Sequence, residues 1–81
     1  IPAPDDTERR IGAMVLCEAI NSFLATLSDE KRNIFMRRYW YMDSIAAISQ
    51  RYGLSQSKVK SILFRSRNQL REYLGKEGYD L

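Results

Sequence analysis

S-I-A-A-I-S-Q-R-Y-G-L-S-Q-S-K-V-K-S-I-L-F-R-S-R-N-Q-L-R-E-Y-L, Ser44–Leu74, decides the fold. Two apolar stripes of helical period flank a short break at Tyr52–Ser55. Ser44 or Asp43 starts the first helix, and Ile45 and Ile48 fall one turn apart on it. Gly53 stops that helix, because glycine takes a left-handed C-terminal conformation without steric cost. Ser55 caps the next helix. Ile45, Ile48, Leu54, Val59 and Ile62 are spaced to share one core. Ser49, the small residue after Ile48, lets the two helices cross closely. This is the helix-turn-helix pattern, whose second helix enters the major groove of DNA. Many helical hairpins share these features, so the spacing alone leaves other uses open.

The second helix narrows the choice. At about 100° per residue, Val59, Ile62, Leu63, Ser66, Leu70, Tyr73 and Leu74 lie within about 60° of one direction. The opposite side carries Ser57, Ser61, Phe64, Arg65, Asn68 and Arg71, flanked by Lys60 and Arg67. An outward phenylalanine among cations suits contact with a thymine methyl or a sugar; the alternative is that Phe64 covers a core edge. Arg65 and Lys60 can read guanine edges or clasp phosphates. Ser55, Gln56 and Ser57 stand at the helix N-terminus, where free backbone N–H groups bind a phosphate.

Charge follows the same division. Residues 1–30 hold six acids against two bases, a net of −4. Residues 31–71 hold ten bases against Asp43 alone, a net of +9, and residues 72–81 return to −2. A basic block of this density is a footprint for a polyanion, against the alternative of a solvated face.

Upstream, Ile11, Leu16, Ile20, Phe23, Leu24 and Leu27 predict a helix ending near Ala25–Leu27, with Asp6 or Thr7 as its cap. Its aliphatic stripe is expected to pack on the next helix. Ser28, followed by Asp29 and Glu30, caps a second helix bearing Ile34, Phe35 and Tyr39. That helix should fade at Trp40–Met42. The run Tyr39-Trp40-Tyr41-Met42 reads as a core plug beside the third helix, with base stacking as the alternative. The last helix is expected to end at about Leu74, with Gly75 as its stop. The expected organisation is a tail or linker at 1–7, an all-α four-helix domain at 8–75 with its helix-turn-helix at 44–74, and a tail at 76–81.

Composition excludes much else. Eighty-one residues make one small domain or part of a longer chain, and Ile1 in place of Met favours the latter. Scarce glycine (four) and proline (two) favour helices. With no histidine and one cysteine, no common metal site or internal disulfide can be built, and no cofactor is called for. No nucleophile–base pair can be assembled, so an enzyme is not expected. Cys17 reads as a small packing residue. No apolar run reaches membrane-spanning length, and the cysteine-poor basic chain fits the cytoplasm.

Beyond these readings, the chain resembles region four of a bacterial RNA polymerase sigma factor, of the small extracytoplasmic-function-like type. The carrying stretches are F-L-A-T-L-S-D-E-K-R-N-I-F-M-R-R-Y at Phe23–Tyr39, S-I-A-A-I-S-Q-R-Y-G-L-S at Ser44–Ser55 and K-V-K-S-I-L-F-R-S-R-N-Q-L at Lys58–Leu70. The resemblance implies binding of double-stranded promoter DNA at the upstream (−35) element. It implies docking on the β flap of core RNA polymerase and admits an anti-sigma factor as a partner. It carries base contacts onto Lys60, Ser61, Phe64 and Arg65. By position it carries phosphate contacts onto Arg51, Lys58 and Arg67. Ile62 stands where relatives often have arginine, so any contact made there is lost. A protein-interaction module or an unrelated helix-turn-helix regulator remains as an alternative; the latter lacks an evident dimer helix.

Overall fold

The computed structural model describes residues 4–78 and contains, in chain order, α1 (Pro4–Ala25), α2 (Asp29–Tyr39), α3 (Ile45–Tyr52) and α4 (Gln56–Lys76). Among the described residues there is no strand, and the architecture is all-α with a helix-turn-helix at α3–α4. The parts of the expected tails at 1–3 and 79–81 lie outside the described residues.

Local chemistry sets most of the boundaries. The Ser28 hydroxyl accepts from the Lys31 backbone N–H, that of Ser44 from Ala47 at 3.0 Å, and that of Ser55 from Lys58 at 3.0 Å. Each satisfies one of the N–H groups that a helix start leaves without a partner. Asp29 and Glu30 in the first turn of α2, with Arg37 and Arg38 in its last, complement the helix dipole. Gly53 ends α3 at φ 65°, in the left-handed region.

Two boundaries differ from expectation. Helix α1 begins at Pro4, so Asp6 and Thr7 lie inside it rather than capping it. Proline is at home in the first helical turn, where its missing N–H has no partner to lose. Helix α4 runs through Gly75 to Lys76. A glycine inside a helix costs only about 1 kcal/mol, and the left-handed conformation falls instead to Gly78 at φ 90°.

Packing occurs in two clusters. Ile34, Ile48, Val59, Ile62 and Leu63 are buried together under Ile45, Tyr52 and Leu54, joining α2, α3 and α4. Phe23, Leu24 and Phe35 form the second, with Ile20, Leu27, Met36, Leu70 and Tyr73 against them. The core half of α4 is therefore as expected: Val59, Ile62, Leu63, Ser66 and Leu74 are buried, with Leu70 and Tyr73 half-buried. The α1 stripe does not pack along its length. Packing against the clusters begins at Ile20 and Leu16 is half-buried, whereas Ile11, Met14 and Val15 are exposed, and so is Cys17, which fills no core position. Nor is the next helix its main partner: α1 packs chiefly on the C-terminal part of α4, with the Phe23 and Tyr73 rings 5.7 Å apart and Leu70 beside them, so the N-terminal half of α1 projects past the packed body.

Candidate nucleic-acid interface

The turn that aims α4 is closed by three bonds to Ser49. Its carbonyl accepts from the N–H groups of Gly53 and Leu54, and its hydroxyl donates to the Leu54 carbonyl at 2.6 Å. Ser49 thus ties the end of α3 to the approach to α4, a role added to the small size that the close crossing requires. Ile48, fully buried against Val59 and Ile62, fixes the other side of the joint.

From this joint α4 presents Ser57, Lys60, Ser61, Phe64, Arg65, Asn68 and Arg71 to solvent. Phe64 is 59% exposed and belongs to neither cluster, so it does not serve as a core cover. From Ser55 to Arg71 the sequence contains no acid. Lys60 and Arg67 lie on one flank, in a cleft with Arg38, Ile45 and Leu63. Lys58 and Arg65 lie on the other, in a cleft with Glu30, Lys31, Ile62, Ser66 and Gln69. The Ser55 hydroxyl is occupied by its cap, while Gln56 and Ser57 occupy the first helical turn, exposed. The expected base-contact set, Lys60, Ser61, Phe64 and Arg65, is therefore on one exposed surface, and Ser55, Gln56, Ser57, Lys58 and Arg67 surround it.

Arg51 is not brought to that surface. It lines a separate cleft with Asn21, Arg32, Arg37, Tyr41 and Tyr52, to which α4 contributes nothing. The run after α2 also differs from expectation. Trp40, Tyr41 and Met42 are 52%, 63% and 78% exposed, so they do not plug the core. The Tyr41 and Asp43 N–H groups bond back to the Met36 and Arg37 carbonyls, and Met42 takes φ 58°, which turns the run outward. Ile45 and Ile48 of α3 itself pack directly against Ile34, Val59, Ile62 and Leu63 instead. Trp40 lies tilted against Phe35, with ring centroids 6.5 Å apart, and Tyr41 lies under the Arg37 guanidinium at 4.6 Å.

Three further residues stand near the interface: Lys31 was not singled out for it from the sequence, Arg38 reads there as a contact to DNA backbone or polymerase or as part of a solvated face, and Tyr39 belongs to the run with base stacking as its alternative. Lys31 and Arg38 extend the two flanking clefts, and Tyr39 accepts a hydrogen bond from Arg67 at 3.0 Å. The seven-residue spacing of Lys31 and Arg38, two helical turns on one face of α2, was the available signal. The Tyr39–Arg67 bond spans 28 residues and leaves no local pattern.

Among the described residues no cluster of three potential metal ligands occurs, and no helix is long and apolar enough to cross a membrane. No curated protein matches the chain. The family described as Sigma-70, region 4 matches residues 23–72, from the buried end of α1 through most of α4. That span holds both clusters, the Ser49 turn and the exposed face of α4, and the chain belongs to the sigma-70 region 4 family: a DNA-binding helix-turn-helix domain of the sigma factors that bring RNA polymerase to initiation.

Proposed function

We propose that this domain recognises the −35 promoter element as duplex DNA, with α4 in the major groove, in a cytoplasmic sigma factor of the extracytoplasmic-function-like type. The solvent-facing side of α4, without an acid from Ser55 to Arg71 and set opposite the side that packs on the core, carries this reading. Lys60, Ser61, Phe64 and Arg65 contact base edges. Lys58 and Arg67, with the Gln56 and Ser57 N–H groups and the cap at Ser55, hold phosphates. Arg51 sits among Arg32, Arg37 and Tyr41, which supports a role in that cleft rather than on the groove-facing side.

Selection of random duplexes, followed by titration of the preferred sequence, tests the assignment. Lys60→Ala or Arg65→Ala should weaken binding by about 1–3 kcal/mol and relax preference at one position. Equal affinity for preferred and scrambled duplexes would overturn sequence recognition.

Docking on polymerase belongs to the same proposal. The cleft among α1, α2 and α3 combines Leu24, Met36 and Tyr52 with Arg32, Arg37 and Arg51. This mixture suits the apolar face of a helix from the β flap or from an anti-sigma factor. The alternative, a protein-interaction module with DNA secondary, rests on this cleft. Capture of a flap-tip peptide at high salt by a chain with no measurable DNA binding would favour it.

A further inference from the structure

The core makes no use of Trp40, Tyr41 and Met42, all more than half exposed, yet the run is held in place. The Trp40 and Tyr41 N–H groups donate to the Met36 carbonyl at 2.8 and 3.2 Å, and the Asp43 N–H donates to the Arg37 carbonyl at 2.9 Å. Arg38 donates to the Asp43 carbonyl at 3.1 Å. Met42 takes φ 58°, a conformation that persists in a residue with a Cβ only where its surroundings impose it. Two large rings are thus fixed in water, where burial of their apolar area is forgone. Rings already fixed lose little freedom when a ligand meets them.

Each ring is backed on one side. The Arg37 guanidinium lies 4.6 Å from the Tyr41 ring centroid, and Trp40 is tilted against the buried Phe35 with centroids 6.5 Å apart. The remaining ring surface faces solvent and suits another flat ring. The surroundings are cationic: Lys31–Met42 holds four bases and no acid. Tyr41 shares a cleft of about 560 Å³ with Arg32, Arg37 and Arg51, and among the described residues no acid lines it. Arg32 is paired with Asp29 at 2.8 Å and Arg37 with Asp43 at 3.9 Å, while the exposed Arg51 is in neither pair.

Cations along a groove, with exposed aromatic faces beside it, are the two parts by which proteins hold unpaired strands: the cations meet the backbone and each ring receives a base. A duplex cannot use the rings in this way, because its bases are already stacked on one another. We propose that Trp40 and Tyr41 are a stacking platform for unpaired bases and that Arg37 and Arg51 hold phosphates of the same strand. The domain then has a single-stranded nucleic-acid site separate from the duplex-reading face, since α4 contributes nothing to the cleft. The strand is DNA or RNA, which share the phosphates and the flat bases that this site meets. The site overlaps the cleft proposed for a polymerase or anti-sigma helix, so strand and helix exclude each other. It does not depend on α4 entering the major groove.

Trp40 is the chain's only tryptophan, so its fluorescence reports on the platform. Short oligothymidine, oligouridine or both should quench it saturably, and the tighter binder names the strand. An abasic oligomer of equal length keeps the phosphates and should quench far less. Tyr41→Ala should weaken oligomer binding roughly 5- to 150-fold, the loss of one stacked base, and Tyr41→Phe should retain it. Arg51→Ala should reduce the slope of log K against log salt by about 0.7. Duplex affinity should stay the same in Tyr41→Ala, which also shows that the variant folds. Equal quenching by the abasic oligomer would overturn stacking, as would an unchanged oligomer affinity in Tyr41→Ala. An equal loss on duplex and oligomer would put the strand on α4 and sink the separate site. Quenching by a flap-tip peptide and by neither oligomer would give the rings to a protein partner and end the proposal. Oligomer binding by a chain without duplex preference would sink promoter recognition and keep the platform.

Discussion

Gly53 has open space around the point where a Cβ would stand, so bulk does not limit it. Its φ of 65° does. Gly53→Ala should destabilise the domain by about 1–2 kcal/mol, read as a lower urea midpoint, and Gly53→Asn should cost less because asparagine tolerates this region. This residue and the caps Ser28, Ser44 and Ser55 were legible in the sequence, since each acts on backbone within four positions. The Tyr39–Arg67 bond was not, because it depends on how α2 and α4 cross. Nor was the outward turn of Trp40–Met42, where aromatic composition suggested burial and backbone bonds at the end of α2 decided otherwise.

At the scale of the element, the α3–α4 joint is bound by Ser49 as well as by its apolar contacts. Ser49→Ala keeps the small size and removes the hydroxyl bond to the half-buried Leu54 carbonyl. It should cost about 1 kcal/mol in thermal or urea unfolding while α3 and α4 stay helical by circular dichroism. The two faces of α4 were readable from its periodicity, because a single helix of 21 residues averages over many positions. Its end was less readable. Gly75 is a plausible stop, but continued backbone bonding outweighs the modest preference of one glycine.

For the molecule as a whole, coverage is uneven. Both clusters draw on the stretch from Ile20 to Tyr73, and Leu74 is buried beside them. The sequence placed an apolar stripe on α1 but could not say how far the other helices would reach along it, because that depends on their crossing geometry. Amide hydrogen exchange should therefore vary along α1. Protection at Phe23 and Leu24 should approach that of Ile34 and Ile48, while Ile11–Val15 should exchange faster. Uniform protection from Ile11 to Leu24 would contradict this arrangement.

The projecting half of α1 also bears on how the domain melts. A solvated helix of about three turns is marginal by itself, so it should fray before the packed body loosens. Warming would then erode ellipticity gradually ahead of the main cooperative step, and the DNA-facing end would keep its shape through that first, shallow loss.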